Sequence, residues 1–332
     1  MKATKLVTAF GLTAIAMAVS TSSHAVDLVK SDDLTFNLNG DIDLKFIQTT
    51  SGSDPSETTL ETNFDDIDFD FKMKIDDSLS FLASADLTVE SDDGDSAESA
   101  STFAGFKYND VTVTAGYRED AIDPLGIDTF EIASLGRASG EQDGSGTVFG
   151  QTVVVEYDHD DFEIVASHTQ IEDTTTVQRS ALYGKTKVGD FQIEAGIGKE
   201  TDADDTATVN FWQAQVEYFT GSFTLGALYS SLSADESGTD YDSTGLEFNV
   251  NYEVSDKLDV YAGYETIDNG ISGTDNYSGM GIGARYAFSK LVKLYVEAGT
   301  EDGTYLKAKG TGVSTSTKDD AKILGMLLSI DF

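Results

Sequence analysis

The sequence lacks cysteine altogether and has only two prolines in 332 residues. Without cysteine, the chain can form neither a disulfide framework nor a thiolate metal site. Pro55 and Pro124 fall in polar stretches typical of loops, which suits a chain composed mainly of strands, because proline removes a donor from a hydrogen-bonded ladder. Long apolar runs are also missing after the N-terminus, where glycine or charge interrupts each of them, so no later segment predicts a membrane-spanning helix.

Basic residues are scarce. The chain has 21 Lys and Arg against 59 Asp and Glu, a formal net charge of -38. Phosphate binding requires the opposite sign, so this balance argues against a nucleic-acid partner. Aromatic residues make up 10% of the chain, and together with a regular alternation of polar and apolar residues they indicate a folded chain. The sequence predicts no cofactor and no metal site.

The N-terminus has the composition of a secretory signal. It begins with Lys2 and Lys5, continues through the apolar run LVTAFGLTAIAMAV and reaches small residues that end at Ala25. A basic start, a short apolar run and small residues before a cleavage point are typical of such signals. We therefore expect residues 1–25 to be a signal peptide and residues 26–332 to form the mature domain, with a formal charge of -40 once Lys2 and Lys5 are removed.

The stretch DDIDFDFKMKI, residues 65–75, shows the alternation most clearly. Every second residue from Asp66 to Lys74 is charged, and the residues between them are apolar. Successive side chains of a strand point to opposite faces, so this strand has one apolar and one charged face. In a soluble sandwich the apolar face would meet a core, whereas in an outer-membrane barrel it would meet lipid and the charged face would line a water-filled lumen.

Polar breaks of two kinds divide the chain into segments of about ten residues. The short breaks are typical of hairpin turns and lie at residues 76–77, 109–110, 159–161, 189–190, 220–222, 255–257 and 289–290. The longer breaks lie near residues 48–62, 90–99, 119–150, 170–178, 200–208, 232–242, 268–275 and 302–319. Seven turns and eight loops predict an all-β fold, a closed antiparallel transmembrane barrel of about sixteen strands. Such a barrel is too wide for side chains to fill, so we expect a wet interior.

Aromatic residues cluster at the short breaks, as expected for a girdle at a membrane interface. They are Tyr108, Tyr157, Phe162, Phe191, Tyr218, Phe219, Phe223, Tyr252, Tyr286 and Phe288.

The chain ends with AKILGMLLSIDF, in which Leu324, Met326, Leu328 and Ile330 alternate before a terminal Phe332. With the signal peptide, the sixteen-strand rhythm and the single oversized third loop, this ending resembles the Gram-negative general porins of the outer membrane. The resemblance implies that the third loop folds into the lumen as a constriction, that Phe332 is an assembly signal, and that the protein is a homotrimer. It also implies passive diffusion of small hydrophilic solutes and ions. The Pro-Glu-Phe-Gly-Gly string found in this loop of enterobacterial relatives is absent.

The third long break, residues 119–150, carries acidic residues in its first half. On the porin interpretation, Asp120, Asp123, Asp128 and Glu131 project into the narrowest zone of the pore, where low-dielectric walls focus the field on passing ions. The alternative is a solvated outer loop.

Alternation also predicts a basic wall inside the barrel. It places Lys45, Lys72, Arg118 and Arg179 inward, and three of the four arginines of the chain fall on the inward face, because a cation facing lipid is costly. The carboxylates still outnumber these cations. We therefore expect a cation-selective pore whose selectivity weakens with salt.

Three other functions stay open at this stage. A sugar-selective channel would use the inward aromatics Phe103, Tyr183, Phe211, Tyr261, Tyr277 and Tyr295 as a slide. An adhesin or receptor barrel would use the acidic loops SDDGDS and DADD, which also suit divalent cations bridging to lipopolysaccharide. An enzyme would need a nucleophile held by a histidine and a carboxylate, but none of the three histidines, His24, His159 and His168, lies in a Ser/His signature.

Overall fold

The computed structural model describes residues 26–52, 55–90, 96–122, 130–132, 149–172, 176–202, 207–309 and 312–332. Every helix or strand in these ranges is a β-strand, so the predicted all-β class is confirmed. The strands are β1 (Val26–Lys30), β2 (Leu34–Asn39), β3 (Asp41–Thr50), β4 (Glu57–Lys74), β5 (Leu79–Glu90), β6 (Ser96–Tyr108), β7 (Val111–Glu119), β8 (Phe149–His159), β9 (Phe162–Glu172), β10 (Thr176–Val188), β11 (Phe191–Asp202), β12 (Ala207–Thr220), β13 (Phe223–Glu236), β14 (Thr239–Ser255), β15 (Leu258–Asp268), β16 (Tyr277–Ala287), β17 (Val292–Lys309) and β18 (Gly312–Asp331). No helix among the described residues is long and apolar enough to cross a membrane.

The strands form one antiparallel sheet with simple connections. From β3 onward each strand pairs with the next one in the chain. The last strand, β18, pairs back with β3 from Lys322↔Thr50 to Asp331↔Asp41. A ladder of this kind satisfies the backbone N–H and C=O groups between neighbouring strands.

The two ends of the described chain meet at the start of β3. Gly40 exchanges two backbone hydrogen bonds with Phe332, at 3.1 and 2.8 Å. On the N-terminal side of Gly40, β2 pairs with β4 and with the short strand β1. The terminal residue is therefore part of the ladder, although its predicted role as an assembly signal stays a prediction.

The two faces of the sheet differ as the alternation predicts. On β10, Leu182 is 44% exposed whereas its neighbour Tyr183 is 1% exposed. We call the face that carries Leu182, Ile197 and Trp212 the apolar face, and the face that carries Arg179, Tyr183 and the buried carboxylates the polar face.

Seven short connections join the strands at one end of the sheet, at the positions expected from the sequence. Aromatic rings pack in pairs beside them, with centroid distances of 4.7 Å for Phe191 and Tyr218 and 4.5 Å for Phe223 and Tyr252. Phe191, Phe223 and Tyr252 are among the exposed large apolar side chains, so their rings stand on the surface at this short-turn end.

The opposite, long-loop end departs from the sequence prediction at residues 302–319. Most of that segment continues β17 and β18 as a paired hairpin, with Thr304 opposite Thr317 and Lys307 opposite Ser314. Its polar composition is that of a loop, but the pairing of β17 with β18 continues through it as far as Lys309↔Gly312.

Candidate functional site

The segment between β7 and β8 contacts the polar face as soon as it leaves β7. The Oδ2 atom of Asp120 lies 2.6 Å from the Nε atom of Arg179, and Glu200 lies 3.7 Å from the same guanidinium. The guanidinium also stacks over the Phe211 ring, 4.4 Å from its centroid. Both Arg179 and Asp120 are buried, at 0% and 3% exposure. We call these four residues the arginine anchor.

Neighbouring contacts extend the arginine anchor. The backbone N–H of Ala121 donates to Ser167 Oγ at 2.9 Å, and Ile122 joins an apolar cluster with Tyr183 and Phe211. Gly198 lies directly opposite Phe211 in the ladder, and a Cβ atom at that position would overlap the Phe211 ring. The glycine therefore allows the ring to lie close to β11 beneath the guanidinium.

The same segment reaches the polar face a second time, on strands distant from the first contact. The N–H groups of Glu131 and Ile132 donate to the two oxygens of the Glu297 carboxylate at 2.9 and 2.8 Å. The Tyr261 hydroxyl donates to the same carboxylate at 2.6 Å. We call Glu131, Ile132, Tyr261 and Glu297 the glutamate anchor.

Two glycines make this second contact possible. A Cβ atom at Gly325 would overlap the Ile132 side chain, and one at Gly263 would come within 2.7 Å of the Phe130 ring. Phe130 packs edge-on against Tyr261, with centroids 5.2 Å apart. The segment thus approaches β15 and β18 at places where no side chain stands in its way.

Comparison with known proteins identifies this architecture. The family model for Gram-negative porins matches residues 11–305. The chain belongs to the Gram-negative porin family. A major outer membrane protein of Pasteurella multocida is 24% identical over 362 residues, covering 96% of this chain and 98% of the relative.

Solved structures show the same fold. OmpT, an outer membrane protein of Vibrio cholerae, matches 93% of this porin and 100% of its own chain with a TM-score of 0.73 and 20% identity. The anion-selective porin from Comamonas acidovorans matches 90% and 100% with a TM-score of 0.75 and 13% identity. These identities support a common fold and do not transfer ion selectivity. Relatives of this porin are outer-membrane proteins, and this chain is one as well.

The structure places the acidic residues of the third loop in different settings. Asp120 belongs to the arginine anchor. Glu131 is exposed and contributes its backbone N–H to the glutamate anchor. Asp123 and Asp128 lie outside the described residues.

Three of the four residues of the predicted basic wall make contacts with other side chains of the protein. The guanidinium of Arg179 is in direct contact with the Asp120 carboxylate of the third loop, so the charges of these two residues compensate each other. Arg118 donates to Thr114 Oγ1 at 2.7 Å and lies over the Phe103 ring. Lys45 lies 3.4 Å from Asp43 on its own strand. Lys72 is exposed.

Glu297 is fully buried in the structure, but the sequence did not single it out as a site residue. Alternation places it on the same face as Tyr295, but a single inward carboxylate has no local signal that distinguishes it from other acidic residues of a pore. Its role depends on contacts with Glu131 and Ile132, which lie more than 160 residues away in the chain.

The inward aromatics proposed for a sugar slide are held in separate clusters. Tyr183 donates to Glu194 at 2.8 Å, Tyr277 donates to Glu265 at 2.8 Å, and Tyr261 belongs to the glutamate anchor. Phe211 belongs to the arginine anchor, and Tyr295 packs with Ile132 and Leu327. Buried rings with engaged hydroxyls offer no continuous aromatic surface.

His168 contacts Ser180, with 2.9 Å between Nδ1 and Oγ. Both residues are exposed on the apolar face, beside Val153 and Leu182 in the ladder. Across the described ranges, no group of three or more His, Cys, Asp or Glu side chains has a geometry that could hold a metal ion.

Proposed function

We propose that this porin forms a water-filled channel for the passive diffusion of small hydrophilic solutes and ions. In this proposal strands β3 to β18 close into a sixteen-stranded barrel across the outer membrane, with the apolar face toward lipid and the polar face around the lumen. The pairing of β18 with β3 supports closure. We also propose that residues 1–25 are removed as a signal peptide, which leaves β1 at the new N-terminus.

The two anchors carry the proposal for a constriction. They attach the third loop to β10–β12 on one side and to β15–β18 on the other. A segment fixed to the polar face at both places lies inside the lumen if that face lines it. The loop would then narrow the pore, as the sequence analysis expects.

We further propose that the pore prefers cations. Among described residues, eleven carboxylate side chains of the sheet and third loop are buried and only one basic side chain, Arg179, is buried with them. The carboxylates are Asp43, Asp86, Asp120, Glu194, Glu200, Asp202, Glu247, Asp259, Glu265, Glu297 and Glu301.

Reversal potentials under a KCl gradient test the channel and its selectivity together. At low salt and neutral pH we expect a reversal potential whose sign shows that potassium crosses the channel more readily than chloride. The selectivity should weaken toward 1 M salt, where the Debye length falls to about 3 Å. An anion-selective potential would contradict the preference for cations, and the absence of conductance would contradict the channel itself.

A homotrimer is the proposed assembly, because a trimer form of the Vibrio cholerae OmpT is among the similar structures. The apolar face of β4–β7 suits such contacts. It has a shallow depression in which Ala83, Ala85, Ala104 and Ala115 lie beside Phe69 and Phe71. Small residues allow close approach between membrane proteins.

Native mass spectrometry in mild detergent tests this assembly. Ala104→Trp would fill the depression and should shift the protein toward monomers. Ala227→Trp makes the same change on β13, among the exposed side chains Phe248 and Val216, and should leave the trimer intact. A monomeric wild-type protein would contradict the proposal.

A channel is a better interpretation than an enzyme. The His168–Ser180 contact lies on the face that would meet lipid, where an aqueous substrate has no access. Contacts with lipopolysaccharide through divalent cations stay a proposal, since SDDGDS and DADD lie largely outside the described residues.

A further inference from the structure

We propose that the hairpin of β17 and β18 beyond Glu301 is a second constriction, placed at the long-loop mouth of the pore and in series with the third loop. The proposal rests on the channel function above. It concerns the described residues Gly303–Lys307 and Val313–Lys318, which we call the mouth hairpin.

The mouth hairpin begins at a bend marked by a register shift and a left-handed glycine. The register between β17 and β18 shifts between Glu301 and Gly303, and Gly303 has a φ of +98°. This left-handed region favours glycine. A Cβ atom at Gly303 would also overlap the backbone carbonyl of Asn276.

Hydrogen bonds fix the bend in place. The N–H of Thr304 donates to the Asp275 carbonyl at 3.0 Å. The Asn269 side-chain amide, which is 1% exposed, donates to the carbonyls of Thr304 and Asp275 at 2.8 and 3.1 Å. The direction of the hairpin is thus set by the connection between β15 and β16.

Beyond the bend, the hairpin lands on the polar face. Tyr305 packs edge-on against Tyr277, with centroids 5.2 Å apart, in a buried cluster with Leu228 and Ile267. Leu306 is fully buried.

Val313 makes the most distant contact. It packs against a cluster of Val209, Leu232 and Ala234 from β12 and β13, and its N–H donates to Glu236 Oε2 at 3.2 Å. Because Val313 belongs to β18, the hairpin reaches strands five and six positions away in the sheet.

The apolar clusters on the polar face indicate why the hairpin lies against the strands. Among the described residues there are four such clusters, and a segment that lies across the strands contributes to each of them. Ile122 and Ile132 of the third loop belong to two clusters, Tyr305 of the mouth hairpin belongs to the third, and Val313 packs against the fourth. Apolar side chains gain stability only where they are removed from water. Leu228 and Leu232 would face the aqueous lumen if the hairpin stood away from the wall.

The mouth hairpin also carries positive charge. Lys307 is exposed and lies over the Tyr305 ring at 5.6 Å, and Lys318 lies 3.6 Å from Glu301. A solute that enters from the long-loop end would meet these lysines before the carboxylates of Glu247 and Glu265. We infer that the hairpin limits solute size at the mouth, above the acidic zone.

Single-channel recording on two variants tests this inference. In one, an Asn-Gly turn replaces residues 305–316, since that dipeptide closes two-residue hairpins. In the other, Val313→Asp places a carboxylate beside Glu236 and inside the apolar cluster. Both should raise the conductance and speed the uptake of larger neutral sugars into liposomes. Ser314→Asp adds the same charge on the neighbouring, exposed residue and should leave both unchanged.

A disulfide tether keeps the test decisive if either variant fails to fold. The chain has no cysteine, so Leu232→Cys with Val313→Cys gives a single possible disulfide. Oxidation should leave the conductance at the wild-type level, because the hairpin already lies on the wall. A fall in conductance on oxidation would overturn the inference, as would wild-type conductance in folded variants. A wild-type protein that forms no channel would instead contradict the proposed function.

Discussion

The two anchors of the third loop hold the same segment by different chemistry. The arginine anchor pairs a buried guanidinium with two carboxylates and an aromatic ring. The glutamate anchor gives one buried carboxylate three neutral donors, two of them backbone N–H groups. The first depends on compensation between charges and the second on the position of the loop backbone.

This difference predicts how each anchor fails. A buried charge left without its partner is strongly destabilising, because desolvation is no longer offset. A carboxylate that accepts backbone N–H groups loses less when its charge is removed, since one acceptor oxygen can remain. Damage to the first anchor should therefore affect the stability of the whole barrel, and damage to the second mainly the loop.

Arg179→Met should have the largest effect. It leaves the Asp120 and Glu200 carboxylates buried without the guanidinium, at a cost of about 3–5 kcal/mol. Urea unfolding in lipid vesicles can be followed by fluorescence of Trp212, the single tryptophan. Lys293→Met is the control, because Lys293 pairs with Asp331 at 2.7 Å and their side chains are 30% and 34% exposed. The control should change the free energy of unfolding by about 1 kcal/mol or less. Equal losses would show that burial of the guanidinium is not what matters.

Glu297→Gln should disturb the loop more than the barrel. One oxygen remains to accept hydrogen bonds, but an amide group would face the N–H of either Glu131 or Ile132, with a loss of about 1–3 kcal/mol at this contact. We expect higher conductance and noisier open-channel current, with nearly unchanged unfolding of the barrel. Glu253→Gln removes the same charge at an exposed site and should have no effect. Unchanged conductance in Glu297→Gln would show that this anchor does not hold the constriction.

The strands of this porin could be predicted from the sequence, whereas the anchors could not. Alternation assigned Tyr183 and Phe211 to the same face as Arg179, and all three are buried on the polar face, because the side-chain period of a strand is two. The pairing of Asp120 with Arg179 depends on where a loop comes to rest on a strand 59 residues later. Periodicity fixes the face of a residue but contains no information about the path of a loop.

Asp120 and Glu131 are the third-loop carboxylates of the two anchors, and neutralising each in turn separates their effects on selectivity. Glu131 is exposed and anchors through its backbone, so Glu131→Gln should leave the loop in place and move the reversal potential toward zero under a KCl gradient. Asp120 is buried against Arg179, and Asp120→Asn should move the potential less. The reverse order would show that the field of the arginine anchor dominates the pore.

The smallest expected effect comes from an exposed counterpart of the glutamate anchor at the short-turn end. In the turn between β4 and β5, Asp76 Oδ1 accepts the backbone N–H of Ser78 at 2.8 Å and that of Leu79 at 2.9 Å. These bonds, chiefly the one from the Ser78 N–H, hold the pKa of Asp76 below its ordinary value of 3.8. A carboxyl whose pKa is lower in the folded than in the unfolded state stabilises the fold above its ordinary pKa. That contribution is lost as the pH falls through the lowered value.

Asp76→Asn should therefore slightly lower, at neutral pH, the temperature at which the folded protein unfolds. Unfolding can be followed by the change in migration on a gel after heating. The difference from wild type should vanish in acid. Asp190→Asn makes the same change of charge in the turn between β10 and β11 and serves as the control. Because water screens and replaces the hydrogen bonds of an exposed carboxylate, the effect should be much smaller than that of Glu297→Gln at its anchor. A pH-independent difference would show that the side-chain shape of Asp76, and not its charge, stabilises the turn. A loss as large as that at Glu297 would mean that burial adds nothing to a carboxylate that accepts backbone N–H groups.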